Sequence, residues 1–364
     1  MSKRATSIAT ALAVTAIAAL ICIGLWRSQD EAAPLVLVKT AALGLMDTDW
    51  QMQAVTRFDQ ADSAEAALGA AEEQIREIEL LMNAHDANSE ISRLNAAAAG
   101  APFPLTADTL TVLSQAKRYY EATDGAFDVT CGPLVKLWSR PRQAEPAAEA
   151  VSNALARIGT HHLRFDPEGV TKLVEGLQVD LGGIAKGYAV DRAVQTLQSA
   201  GLRGGCVEGG GDLRCFGTTE ARRAWVVGIR HPFVKGKKCA YLRVRDAAVT
   251  TSGDYARSYE ISGRRYSHIV DPRTGRPVAG TPSVTVVSLA TESHPPSAIE
   301  ADAWSTGLSV LAAAMGPERA LKTYLNQQEG LEAMIVVGTP ERHELFVSDG
   351  FEALLVPDTK IELD

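Results

Sequence analysis

The stretch Asp180-Leu-Gly-Gly-Ile-Ala-Lys-Gly-Tyr-Ala-Val-Asp191 constrains this chain more than any other. Leu177 to Leu181 reads as a short strand. Val190, Ala193, Val194 and Leu197 then recur at the spacing of one helix face, with Gly201 as the stop. Gly182 and Gly183 lie between the two, where a tight bend lets another molecule approach the backbone amides. A helix N-terminus carries unpaired N–H groups and partial positive charge, and Lys186 adds a full charge at the same place. Such a turn suits a phosphate-bearing ligand. It is neither a Walker loop nor a G-x-G-x-x-G fingerprint, and taken alone it reads equally well as a glycine-rich turn beside a solvated lysine.

The 364 residues can build one large domain or two ordinary ones, and 46% hydrophobic with 22% charged residues describes a folded body. A net charge of −8 argues against a general nucleic-acid binder, whose footprint would be basic. The N-terminus differs from the rest. Lys3 and Arg4 precede an uncharged apolar run from Ala5 to Trp26, closed by Arg27, and a bilayer needs about 20 such residues. Residues 1–27 therefore read as an uncleaved anchor with its positive end in the cytoplasm, or alternatively as a cleaved signal peptide. Residues 28–47 read as a linker, 48–358 as the folded domain and 359–364 as a tail. Outside the leader, Cys131, Cys206, Cys215 and Cys239 form no C-x-x-C pair, which disfavours a zinc or thioredoxin-like site. If the body is exported, a disulfide such as Cys206 with Cys215 is open to it.

Along the chain, Ala64 to Leu81 reads as a helix ending at Met82, Ser89 to Asn95 as a capped helical turn, and 107–122 and 147–157 as further helices. Asp124-Gly-Ala-Phe-Asp128 is a turn with an aromatic and two carboxylates. His161 and His162 fall in a strand region, where neighbours point to opposite faces and share no metal. Gly209-Gly-Gly-Asp212 is a second glycine-rich turn, either a plain hairpin or a place where Asp212 bonds hydroxyls or a ribityl chain. His268 stands at a strand end beside Asp271 and Arg273. On a helix, Asp302, Ser305 and Thr306 share one face, a hard-oxygen set suited to Mg²⁺; the alternative is an Asp N-cap with two hydroxyls in the first turn.

Together these blocks resemble the ApbE family of FAD:protein FMN transferases over roughly residues 50–355. The pattern is carried by Ser89-Glu-Ile-Ser-Arg-Leu-Asn95, Gly125-Ala-Phe-Asp128, the Asp180–Asp191 stretch, Gly210-Gly-Asp212, Thr251-Ser-Gly-Asp-Tyr255, His268-Ile-Val-Asp-Pro-Arg-Thr-Gly275 and Ala301-Asp302 through Thr306. The resemblance implies an α+β fold of mixed or antiparallel sheets flanked by helices, with two halves enclosing an FAD cleft. It implies that FAD is a substrate, whose FMN passes to a threonine hydroxyl on an exported or membrane redox protein while AMP departs. An acceptor in a membrane redox complex would place the domain on the periplasmic side of the bacterial inner membrane, or in the periplasm if the leader is cleaved.

By the same resemblance, Met82 would contact the isoalloxazine, and Ala126, Phe127 and Asp128 the flavin and adenine side of the pocket. Asp180 and Lys186 would hold FAD near its pyrophosphate, and Ile269 would pack on it. Mg²⁺ would bind the Gly183 carbonyl with Asp302, Ser305 and Thr306, although the family often has Asp or Ala where Ser305 stands. Breaking a pyrophosphate requires charge neutralisation on both phosphates, which Mg²⁺ and Lys186 supply together. A threonine nucleophile needs a base with a pKa near neutrality; His268 fits, with Asp271 as its orienting partner.

Overall fold

The computed structural model describes residues 34–138, 144–253, 258–261 and 264–363. The apolar leader, part of the proline-rich segment at 141–146, and Asp254 and Tyr255 of the fifth motif lie outside them. Among the described residues no helix is long and apolar enough to cross a membrane.

The frame is one eight-stranded sheet. Its strands are β1 (Leu35–Leu45), β2 (Thr48–Arg57), β3 (Gly204–Gly209), β4 (Asp212–Gly217), β5 (Ala247–Gly253), β6 (Ser283–Leu289), β7 (Leu331–Thr339) and β8 (Arg342–Val347). Each strand pairs antiparallel with the next. The helices are α1 (Ala61–Met82), α2 (Glu90–Ala96), α3 (Ala107–Ala122), α4 (Gly132–Trp138), α5 (Ala148–Leu155), α6 (Ala185–Ser199) and α7 (Ala298–Met315).

Alternation along the strands divides the core into two layers, because successive side chains point to opposite faces. Val207, Phe216, Ala248, Val284, Val286, Ala333 and Ile335 face the helices, packing with Ile75, Val190, Val194, Leu308 and Leu311. Cys215, Ala247, Val249, Val287 and Met334 face the other way, under a two-stranded hairpin formed by Trp225–Arg230 and Lys238–Val244. A sheet covered on both faces explains the continuous burial of β6 and the apolar run Ala333–Val337 of β7. A smaller cluster joins Leu134 and Trp138 of α4 to Val270, and the Trp138 indole N–H donates to the Gly275 carbonyl at 2.8 Å.

Several local expectations give way. Residues 35–45, assigned to the linker, are the edge strand β1: Leu35 and Leu37 pack on one layer and Val38 on the other, so no polar alternation marks the strand. The segment assigned to a tail is also held, with Ile361 and Leu363 on the outer core and the Glu362 N–H donating to the Cys239 carbonyl at 2.7 Å. Leu177 to Leu181 is extended but joins no sheet beyond a single bridge from Gln178 to Cys131. His161 and His162 lie in a 3₁₀ turn instead of a strand, so their rings stand 4.0 Å apart. The helix bearing Asp302 starts earlier than the N-cap reading required, with Ser297 as its cap, accepting from the Glu300 N–H at 3.3 Å.

Candidate active site

The N-terminal turns of α6 and α7 meet at Gly187. A Cβ built there would lie 2.3 Å from the Ala298 carbonyl oxygen and 2.8 Å from the Asp302 Cβ, so only glycine permits the approach. Two carboxylates fasten the contact reciprocally. Asp302, in the second turn of α7, accepts from the Gly187 N–H of α6 at 3.0 Å. Asp191, in the second turn of α6, accepts from the Ala298 and Ile299 N–H groups of α7, both at 3.0 Å, and from the Ser297 hydroxyl. Each helix thus supplies the anion for the other's positive end. Arg214 of β4 neutralises Asp191 at 2.7 Å.

This packing sets the site. Lys186 reaches the sheet and ion-pairs with Asp212, which sits at the tip of the β3–β4 hairpin with its side chain 2% exposed. For this stretch the sequence allows a plain hairpin or a place where Asp212 bonds hydroxyls; it is a hairpin, and Asp212 at its tip pairs with Lys186. The Asp302 carboxyl, fully enclosed, is pushed up to about 7, first by burial and then by the charge of Asp212, while Lys186 and the Gly187 amide pull the other way. Asp212 and burial therefore favour the protonated form of Asp302, and a further positive charge beside it would favour the ionised form.

The glycine bend lies against the same turn of α7. A Cβ at Gly183 would stand 3.2 Å from the Thr306 hydroxyl and 3.4 Å from the Phe127 ring. Ser252 of β5 completes a hydroxyl cluster, 2.7 Å from Ser305 Oγ and 3.2 Å from Thr306 Oγ1. Ser305 also donates to the Asp302 carbonyl at 2.9 Å. Thr250 points to the same sheet face two residues earlier, and extending the β4–β5 register by one sets it opposite Asp212. Its buried hydroxyl has no hydrogen-bond partner among the described residues. Among these residues no cluster of three or more His, Cys, Asp or Glu could hold a metal. The donor set is instead one carboxylate and several hydroxyls beside the backbone of the glycine bend, which is hard-oxygen chemistry for Mg²⁺. The opposition between Asp212 and the ionised form of Asp302, and the orphaned Thr250 hydroxyl, fit such an ion.

The amides offered to an anion are mostly engaged. Gly182 N–H donates to the Asp180 carboxylate at 2.9 Å, Ile184 and Ala185 donate to the Leu181 carbonyl, and Gly187 donates to Asp302. Lys186 therefore carries the full positive charge of this turn, and Asp180 shapes the bend.

The remaining predicted residues line the surroundings. Phe127 is buried edge-on to Tyr119 and overlies Gly183 and Gly307. Ala126 and Met82 are buried in the helix-side core. Asp128 Oδ1 accepts from the Thr130 N–H and hydroxyl and the Thr160 hydroxyl, tying the Phe127 loop to the 3₁₀ turn; burial raises its pKa despite these bonds. His268 is half-buried just after the strand Arg264–Ser267, and Ile269 is buried in the helix-side core. Both Asp271 oxygens accept from the Arg273 guanidinium, at 3.0 and 3.1 Å, which fixes the turn after His268. Asp191, Ser252 and Thr250 received no role from the sequence. The first two stand inside quoted motifs, which was the available signal.

Comparison with known proteins follows the same outline. The ApbE family model matches residues 46–335. The FAD:protein FMN transferase of Vibrio cholerae is 35% identical over 287 residues, covering 77% of this chain and 82% of that one. The solved structure of flavin transferase ApbE from Vibrio cholerae superposes with a TM-score of 0.76 at 33% identity, covering 88% of this chain and 100% of that one. The ApbE protein of Thermotoga maritima gives a TM-score of 0.76 at 30% identity, over 88% and 99% of the two chains.

Proposed function

From the premise that the chain belongs to the ApbE family, we propose that it is an enzyme that transfers FMN from FAD to a threonine hydroxyl of an acceptor protein, releasing AMP. The observation that carries this reading is the juxtaposition of Lys186, Asp212 and Asp302 with the Gly183–Thr306 contact. A diphosphate crossing that point meets a lysine on one side and a cation-seeking oxygen set on the other.

Asp302, Thr306, Ser305 and the Gly183 carbonyl would hold Mg²⁺. The bound ion would neutralise phosphate charge as the P–O–P bond breaks. Lys186 binds the phosphate oxygens, and Asp212 holds its ammonium in place. The bend fixed by Asp180 and the Phe127 ring above it position the flavin side and exclude water. Met82, Ala126 and Ile269 complete the apolar part of the pocket. His268 takes the proton from the attacking hydroxyl, on a turn that Asp271 and Arg273 hold rigid. The apolar leader supports placing the domain at the periplasmic face of the bacterial inner membrane, where a membrane redox complex would present the acceptor.

The test is an incubation of the full chain with FAD, Mg²⁺ and a threonine-bearing acceptor protein, read by intact mass and nucleotide analysis. Covalent FMN with released AMP is the expected outcome. Free FMN with AMP would make the protein an FAD pyrophosphatase, and unchanged FAD a storage protein. His268→Ala should lower transfer by about 100-fold or more at unchanged FAD affinity, the usual span for a general base; near-normal turnover removes His268 from the mechanism.

A further inference from the structure

The hairpin that presents Asp212 to Lys186 carries two cysteines placed directly opposite each other. Cys206 of β3 and Cys215 of β4 are cross-strand partners. The connecting turn is two residues, Gly210 and Gly211, both with positive φ, and it is closed by the pair Gly209–Asp212. In such a hairpin the closing pair is hydrogen-bonded and the following pairs alternate. Glu208–Leu213 is then non-hydrogen-bonded, Val207–Arg214 hydrogen-bonded, and Cys206–Cys215 non-hydrogen-bonded. That last class brings opposed Cα atoms to about 4.5 Å, within the span a disulfide bridges. Both side chains face the outer core layer, so they also share a side of the sheet.

We infer that Cys206 and Cys215 are a site of reversible intrachain disulfide formation that staples the hairpin behind Asp212, the partner of Lys186. Both are free thiols in this structure, with Cys215 Sγ directed to the Ala247 carbonyl at 3.7 Å. Closing the bridge requires the Cys215 thiol to turn from the Ala247 carbonyl towards Cys206, which the register already sets opposite it. Access exists on one side: Cys206 lines a cavity of about 620 Å³ between the sheet and the 225–244 hairpin, beside Glu208, Arg230 and Lys238. Cys215 is fully covered. The order of events follows. Cys206, deprotonated, attacks a sulfur of a low-molecular-weight disulfide such as oxidised glutathione and expels one thiolate. Cys215, deprotonated, then attacks the Cys206 sulfur of the mixed disulfide and expels the second. Two protons are released from the protein thiols and two electrons pass to the oxidant, which leaves as two reduced thiols once its thiolates are protonated. Burial holds both thiols above their ordinary pKa, so exchange is slow and runs over minutes to hours.

The bridge would act three residue pairs below the turn. It would limit fraying of the tip that places Asp212, and of Arg214, which holds Asp191. The inference does not rest on the flavin-transfer reading, since it needs only the hairpin register and the cavity.

The test uses the folded full chain, incubated with oxidised glutathione, alkylated under denaturing conditions and digested with trypsin. The expected product joins the peptide Gly204–Arg214 to Cys215–Arg222, about 2 Da lighter than the summed free peptides, and reverts with reductant. Tm should rise by about 5 °C on oxidation and fall back on reduction. Cys206→Ser and Cys215→Ser should each abolish the shift. Full alkylation of both cysteines after oxidation overturns the inference. So does a glutathione adduct that stalls on Cys206, or a bridge from either residue to Cys131 or Cys239.

Discussion

At Asp302 the energetics of a single carboxyl can be followed through to a measurement. Its folded-state pKa is raised from 3.8 to about 7, by burial and then by Asp212. Between those values the folded chain keeps a proton that the unfolded chain has lost. Stability without a cation is therefore greatest below about pH 4 for this group and falls as pH rises towards 7, by an amount on the order of a few kcal/mol. In chelator, denaturant unfolding at pH 5 and pH 8 should show this loss, and Mg²⁺ at pH 8 should restore it. Asp302→Asn should flatten the pH slope and abolish the Mg²⁺ rescue; identical slopes in the two proteins would remove Asp302 as the titrating group, and a rescue kept by the variant would remove it as the cation ligand. Asp302 itself was legible from its helical spacing to Ser305 and Thr306. Its electrostatics were not, because they depend on Asp212, which is 90 positions earlier in the chain.

Between elements, the decisive feature is the exchange of carboxylates by α6 and α7. Asp191→Ala would strip the N-terminal amides of α7 and leave Arg214, with 10% of its side chain exposed, without its partner. A lost cap costs about 1 kcal/mol, and breaking a buried pair roughly 3–5 kcal/mol, so the variant should unfold at a markedly lower denaturant midpoint. A midpoint within experimental error of the parent would show that Ser297 alone caps α7. Gly187→Ala tests the same junction sterically. Its methyl must displace the Ala298 carbonyl, and overpacking of this kind costs about 1–3 kcal/mol. Because the displaced turn carries Asp302, Mg²⁺-dependent stabilisation should weaken as well. The motif order placed both helices correctly, and helix-face spacing gave α6 to within two residues. The same patterns missed the junction, since nothing local to Gly187 announces a carbonyl from another helix.

For the whole molecule, the sheet is a sequential antiparallel series whose first strand is also an edge. Removing β1 would uncover the β2 backbone edge while leaving Trp50 and Met52, both 0% exposed here, without part of their cover. A chain starting at residue 48 should therefore lose cooperative thermal unfolding or aggregate, whereas one starting at residue 34 should retain it. Equal melting of the two would mean that β1 is an ornament on an independent domain.

The sequence by itself determined the longer helices, whose 3.6-residue periodicity is written locally, though not the short α4, and the family, whose motifs recur in order. It also determined that a carboxylate and two hydroxyls share one helix face at 302–306, because those residues are three and four positions apart. Tertiary structure alone decided that Lys186 belongs to Asp212, that the glycine bend abuts Thr306, that Ser252 and Thr250 join the site, and that residues 35–45 are sheet. These contacts close over chain separations of tens of residues or more. They are set by strand register and the shape of packed helices, quantities that exist only once the whole core has formed.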